Sequence, residues 1–188
     1  MLAELLETAR TPHLFTAEDY AKLEIDARTE LLGGLIYDVS PRNEPHRHAV
    51  RRLARILNRG LGEEFIVQAQ DAVAVPDWKG ADAPEVDVAV LRHIRFRPGP
   101  TSSDAVAFVE VSDATYTADR RYKIPLYVRA GVPSWILNIP LEQLEYYESI
   151  ADLETAHGRV SRKGDLVEIA GVIVRVSDLF ESEADAAK

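Results

Sequence analysis

AVAFVEVS, residues 105–112, is apolar at nearly every position until Glu110 interrupts it. A run of this length without alternation reads as a central β-strand covered on both faces, since a strand with one wet face would alternate. Such a strand needs a layer above and a layer below. EVDVAVL, residues 85–91, has the same character with Asp87 as its exception. An ionised carboxylate on a buried strand is costly unless a cation or hydrogen-bond donors compensate it. Asp87 and Glu110 are therefore either a shared site on neighbouring strands or strand-end acids facing solvent.

Working outward, FIVQAQDAVAV (65–75) reads as another strand, joined to the Asp87 strand by a turn-prone loop with Pro76, Asp77, Gly80 and Pro84. Residues 44–61 have helical period: Val50, Leu53, Leu57 and Leu61 share one face, and His48, Arg51, Arg52, Arg55 and Arg59 the other. That basic face is either solvated or turned toward phosphates, with even weight. Upstream, TELL and LIYDV flank Gly33-Gly34, a pair suited to a tight hairpin turn, with Glu30 near the start of the first strand. Thr16 and Asp19 make a capping box for a short helix.

Downstream, residues 113–131 contain a helix ending near Gly131, with Pro125 either in its first turn or kinking a longer helix. SWILNI (134–139) is a buried-type strand and QLEYYES (143–149) alternates as its partner would. DLVEIAGVIVRV (165–176) reads as a hairpin turning near Ala170-Gly171. Residues 1–14 are a helical arm or loose lead, and 182–188 a frayed tail. The order gives one α/β (α+β) domain over 1–188, a mixed sheet flanked by helices.

A chain of 188 residues, 46% hydrophobic and 28% charged, suits one buried core. No apolar run is long enough to span a bilayer and the start is acidic, so a cytoplasmic location without membrane partners is expected. The absence of cysteine leaves carboxylate, His, Lys and hydroxyl chemistry, with any metal held by oxygen. A net charge of −9 argues against binding nucleic acid through an overall positive field, though not against a local basic patch. There is no Gly-rich nucleotide loop, nucleophile elbow or His-rich zinc signature.

The ordered set TELLGGLIYDVSP, His48 in its helix, PEVD, FVEVS, Asp119 with Lys123, Tyr127 and AGVPSWIL resembles the Uma-type family of candidate restriction endonucleases, within the P-D-(D/E)-x-K nuclease superfamily. The resemblance covers about residues 14–180. It implies a restriction-endonuclease-like core, Mg²⁺ or Mn²⁺, and phosphodiester hydrolysis in DNA. Asp87 and Glu110 would be the acids of the first and second motifs, both metal ligands, with the Val111 backbone carbonyl beside them. Glu30 would be a further ligand or water-orienting group. Where the superfamily lysine follows the second acid by two residues, this chain has Ser112, so the resemblance hands that task to Lys123, held by Asp119 one turn earlier. Tyr127 is a supporting residue.

His48, Arg51, Arg55, Gln70 and Ser112 are candidates for contacting substrate. The chain departs from the family where Val86 precedes Asp87, with proline at Pro84, and where Ser134 and Asn138 stand in place of acids. Superfamily nucleases often act as dimers, because two cuts need two sites. Two functions follow as alternatives: a metal-dependent endonuclease, or a catalytically silent domain of the same fold that binds nucleic acid or a partner protein.

Overall fold

A computed structural model describes residues 14–25, 27–39, 42–77, 80–92 and 99–180. The expected N-terminal arm, Leu14 apart, and the tail lie outside the described residues. In chain order come α1 (Ala17–Tyr20), β1 (Thr29–Leu32), β2 (Leu35–Asp38) and α2 (Glu44–Gly60). Then follow β3 (Phe65–Ala72), β4 (Val75–Asp77), β5 (Gly80–Asp82), β6 (Glu85–Arg92) and β7 (Ala105–Ser112). Next are α3 (Tyr116–Ala118), a π-helical turn (Asp119–Lys123) and α4 (Ile124–Arg129). The remainder is β8 (Ser134–Asn138), β9 (Gln143–Tyr147), α5 (Ile150–Leu153), β10 (Arg159–Arg162), β11 (Leu166–Ile169) and β12 (Val172–Arg175).

Six strands form the central sheet in the order β10-β9-β8-β7-β6-β3. Only β7 and β8 pair in parallel, joined by the α3 to α4 crossover, while the other pairs are antiparallel. This is the mixed sheet that the run of residues 105–112 implied, and β7 is buried from end to end apart from half-buried Val106.

Its two faces carry different cores. Ala107, Val109 and Val111 join Val88, Val90 and the α2 residues Val50, Leu53 and Leu57 on one side, with the β11-β12 hairpin completing the layer. Phe108 joins Leu91, Ile136 and the α4 residues Ile124, Tyr127 and Val128 on the other. Each fully covered Leu or Phe contributes about 1.5–3 kcal/mol. Helix α2 starts where the sequence places it, because the Asn43 side chain accepts the His46 backbone N–H at 3.0 Å and Pro45 occupies the first turn.

The segment around Pro125 resolves as a continuous right-handed run from Tyr116 to Arg129 containing the π turn. Pro125 has no N–H for the carbonyl one turn back. The widened turn before it, with the Ile124 N–H reaching the Asp119 carbonyl, absorbs that break without ending the helix. The helix stops at Gly131 (φ +77), where the Val132 N–H bonds the Tyr127 carbonyl and the Gly131 N–H that of Val128. Gly131→Ala forces a Cβ into left-handed backbone. We expect it to destabilise the fold by about 1 kcal/mol, a drop of about 2–4 °C in thermal unfolding for a chain this size.

The Gly33-Gly34 and Ala170-Gly171 turns both have two successive positive φ values, as their hairpins require. The strand expected over 65–75 is instead β3 followed by the separate β4, and β10 and α5 were not expected. Gln70, inside β3, also has a positive φ of 59°. No described helix is long and apolar enough to cross a membrane.

Candidate active site

The paired register of β6 and β7 matches Val88 with Val109 and Ala89 with Phe108. The pairing ends there, and by the alternation of each strand Asp87 and Glu110, one residue beyond it, project on the same face as Ala89 and Phe108. Both are buried, Glu110 at 1% exposure. The helix packed on that face brings Lys123 down onto them. Its Nζ lies 3.5 Å from Glu110 Oε2, 2.9 Å from Glu30 Oε2 and donates to the Glu85 carbonyl at 2.8 Å. Glu30 arrives on β1, which is tied to the sheet region by the Leu31–Ala83 bridge. Three elements distant in sequence thus converge on one ammonium.

Each acid has a distinct environment. Asp87 Oδ2 accepts the Val111 backbone N–H at 3.0 Å and lies 3.1 Å from His46 Nε2. Burial alone would raise its carboxyl, but His46, Lys123 and the Val111 N–H outweigh burial and hold it below the usual carboxylate range. Glu110 accepts from Tyr127 Oη at 2.6 Å. Burial pushes its carboxyl well above the usual range, Lys123 opposing and Asp87 adding to the push. Lys123 moves up as well: burial favours the neutral amine, yet Glu110, Glu30, Asp119 and Asp87 together hold the proton. Two adjacent carboxyls driven apart in acidity are the pattern of a site that handles protons and cations.

Asp119 accepts hydroxyl hydrogen bonds from Ser112 and Thr115, each at 2.7 Å. Ser112 is therefore committed to the helix. Among the described residues no three His, Cys, Asp or Glu side chains gather into a cage for a metal. A hard divalent ion that keeps several waters needs only one or two carboxylates. Asp87 and Glu110, two carboxyl groups on one face that both line the cleft, fit that kind of ion.

The acids floor a cleft of about 1120 Å³ walled by the β1-β2 hairpin, the first turn of α2 and the helix from Thr115 to Ala130. Glu30, Asp87, Glu110, Asp119 and Lys123 all line it. His48, Arg51 and Arg55 do not: His48 is half-buried elsewhere on α2, and Arg51 is exposed and paired with Glu44 at 2.8 Å. Gln70 lines a separate groove with Tyr20 and Arg28. Tyr127 stands behind the site, its hydroxyl on Glu110 and its ring edge-on to Phe108.

Two lining residues escaped the sequence reading. His46 is 8% exposed, one Nε2 contact from Asp87, and its Nδ1 is buried without a hydrogen-bond partner. Arg42 pairs with Glu85 and lies 4.0 Å from Asp87 Oδ1. Asn43 and Pro45 mark the helix start that puts His46 in the first turn, which was the available signal. A further buried carboxylate, Glu145, was also missed: Tyr147 Oη at 2.7 Å, Gln143 Nε2 at 2.8 Å, Tyr116 Oη at 3.0 Å and Asn138 Nδ2 at 3.2 Å all reach it. It anchors the start of the helix that carries Lys123.

A putative nuclease of DUF820 from Anabaena variabilis, known from its crystal structure, superposes with a TM-score of 0.67 at 14% identity, covering 88% of this chain and 97% of that one. At that identity the likeness speaks for the fold alone, a six-stranded mixed sheet with helices on both faces. A search of curated proteins finds no match. The profile of the Uma2 family, described as "Putative restriction endonuclease", matches residues 17–172. That span holds the β1-β2 hairpin, both acids and the helix with Lys123, and by it the chain belongs to the Uma2 family.

Proposed function

We propose that this protein is a nuclease that hydrolyses phosphodiester bonds in DNA with the help of Mg²⁺ or Mn²⁺. The observation that carries the reading is the pair Asp87 and Glu110 on one face of neighbouring strands, both lining a cleft, with the Lys123 ammonium 3.5 Å from Glu110. Membership of a family described as restriction endonucleases supports it.

Asp87 and Glu110 would hold the ion. Bound there, a divalent metal lowers the pKa of a coordinated water and polarises the phosphoryl group. The chain's own contribution is positional. Val111 and His46 fix the Asp87 carboxylate, and Tyr127 fixes Glu110. Glu30 and the Glu85 carbonyl aim the Lys123 ammonium into the cleft, where it orients the attacking water or offsets charge growing on the phosphate. On this reading Glu30 positions the lysine.

Purified protein is expected to nick supercoiled plasmid in Mg²⁺ or Mn²⁺, to stop when EDTA is added and to resume when the ion is restored in excess. Agarose electrophoresis reads the result. Nicking indifferent to EDTA would sink the metal, and no cleavage of plasmid or single-stranded DNA in either ion would sink the nuclease.

A further inference from the structure

We infer that the cleft takes its nucleic acid as an unpaired strand, with a base stacked on Tyr37 and Tyr122 at the two walls beside the reaction centre. This rests on the nuclease reading and names the substrate class of that same site, which a supercoiled plasmid offers where its strands open. Tyr37 pairs with Glu30 across the β1-β2 hairpin, so its ring stands on the same face as the carboxylate that holds Lys123. Tyr122 directly precedes Lys123 on the opposite wall. Both rings line the cleft, both are open to solvent at 47% and 57%, and neither belongs to a core cluster. Burying neither ring in the fold leaves two aromatic faces available next to the catalytic lysine. The Arg121 guanidinium lies 5.7 Å from the Tyr122 ring centroid, a neighbour for a backbone phosphate.

Among the described residues the cations are set poorly for a duplex. Duplex affinity rests on rows of cations matched to phosphates, yet of the described cations that line the cleft, Arg42, Arg121, Lys123 and Arg129, two are already paired with carboxylates, and the basic face of α2 lies outside it. The reactive acids are also deep, at 7% and 1% exposure for Asp87 and Glu110. A single strand, with one backbone instead of two, enters a walled cleft to that depth with less steric cost than a duplex.

Binding is measured by fluorescence anisotropy with Ca²⁺ in the buffer. The probes are a fluorescein-labelled oligo(dT), the same strand annealed to oligo(dA), and an abasic strand of equal length. The single strand is expected to bind at least about tenfold tighter than the duplex, and Tyr37→Ala or Tyr122→Ala each to weaken it about tenfold, the scale of one base–aromatic stack. Tyr37→Phe and Tyr122→Phe keep the ring and should bind as the parent. The abasic strand should bind weakly and ignore all four substitutions. Equal affinity for duplex and single strand, alanine variants that bind like the parent, or no binding to any probe overturns the inference. In each of those cases EDTA-sensitive plasmid nicking, if present, leaves the nuclease reading intact.

Discussion

Asp87→Asn is expected to reduce metal-dependent nicking by about 10³-fold and, because His46 and Lys123 favour the ionised carboxylate, to lower the thermal unfolding midpoint by about 2–4 °C. The amide keeps the size of the carboxylate and an oxygen for the Val111 N–H, so the strand end stays satisfied. What disappears is the negative charge. Loss of a metal-held oxyanion environment is worth several kcal/mol, and about 4 kcal/mol corresponds to that factor in rate. The comparison is made at saturating Mg²⁺ and Mn²⁺ by initial rates of plasmid relaxation, with calorimetric ion titration alongside. Nicking that persists at the parental rate in the folded variant removes Asp87 from the chemistry.

Lys123→Ala should act on stability as much as on rate. The ammonium is the shared partner of Glu30 and Glu110, and both acids are largely or wholly out of water. Removing one side of a buried ion pair costs about 3–5 kcal/mol because the other side is left uncompensated. At roughly 2–4 °C per kcal/mol for a chain of this length, the midpoint falls by about 6–20 °C. Two further readouts separate this cause from simple loss of packing. Adding Glu110→Gln to Lys123→Ala should recover part of the loss, since the neutral amide needs no cation. The gap between Lys123→Ala and the parent should also narrow as pH falls, because Glu110, already pushed upward by burial, takes up a proton and stops asking for a counter-charge. A gap that is constant with pH, and a double variant no better than the single, would mean that the lysine contributes only its hydrocarbon stem.

The acids were legible in the sequence because they broke a pattern. A carboxylate in an apolar run needs a reason, and Asp87 and Glu110 each stand alone in one. Period located α2, and the glycines themselves marked the two hairpin turns and the helix end at Gly131. Lys123 carried no such mark. Basic residues crowd its stretch, and only the resemblance to the family singled it out. Its inward aim depends on the π turn, which no hydrophobic period encodes.

His46 went unseen for a related reason: the helical wheel directs attention to the regular basic face with His48, whereas His46 acts from the first turn, where position relative to the sheet end matters more than face. In the alternating stretch 143–149, Gln143, Glu145 and Tyr147 fall on one side of the strand. In the fold that side is roofed by the helix from Tyr116, so the polar residues of β9 pair with one another and with Tyr116 instead of with water. Alternation reports which residues share a face; whether that face is covered depends on an element elsewhere in the chain.

The left-handed Gln70 has its own bearing on the behaviour of the molecule. β3 ends the six-stranded sheet, and an eight-residue edge invites another chain to zip onto it. One residue with φ of 59° turns the backbone out of the pleat part-way along, so the free N–H and C=O groups on either side no longer lie on one line. A foreign strand could follow only half of that border, which disfavours the edge-to-edge pairing on which fibre growth depends.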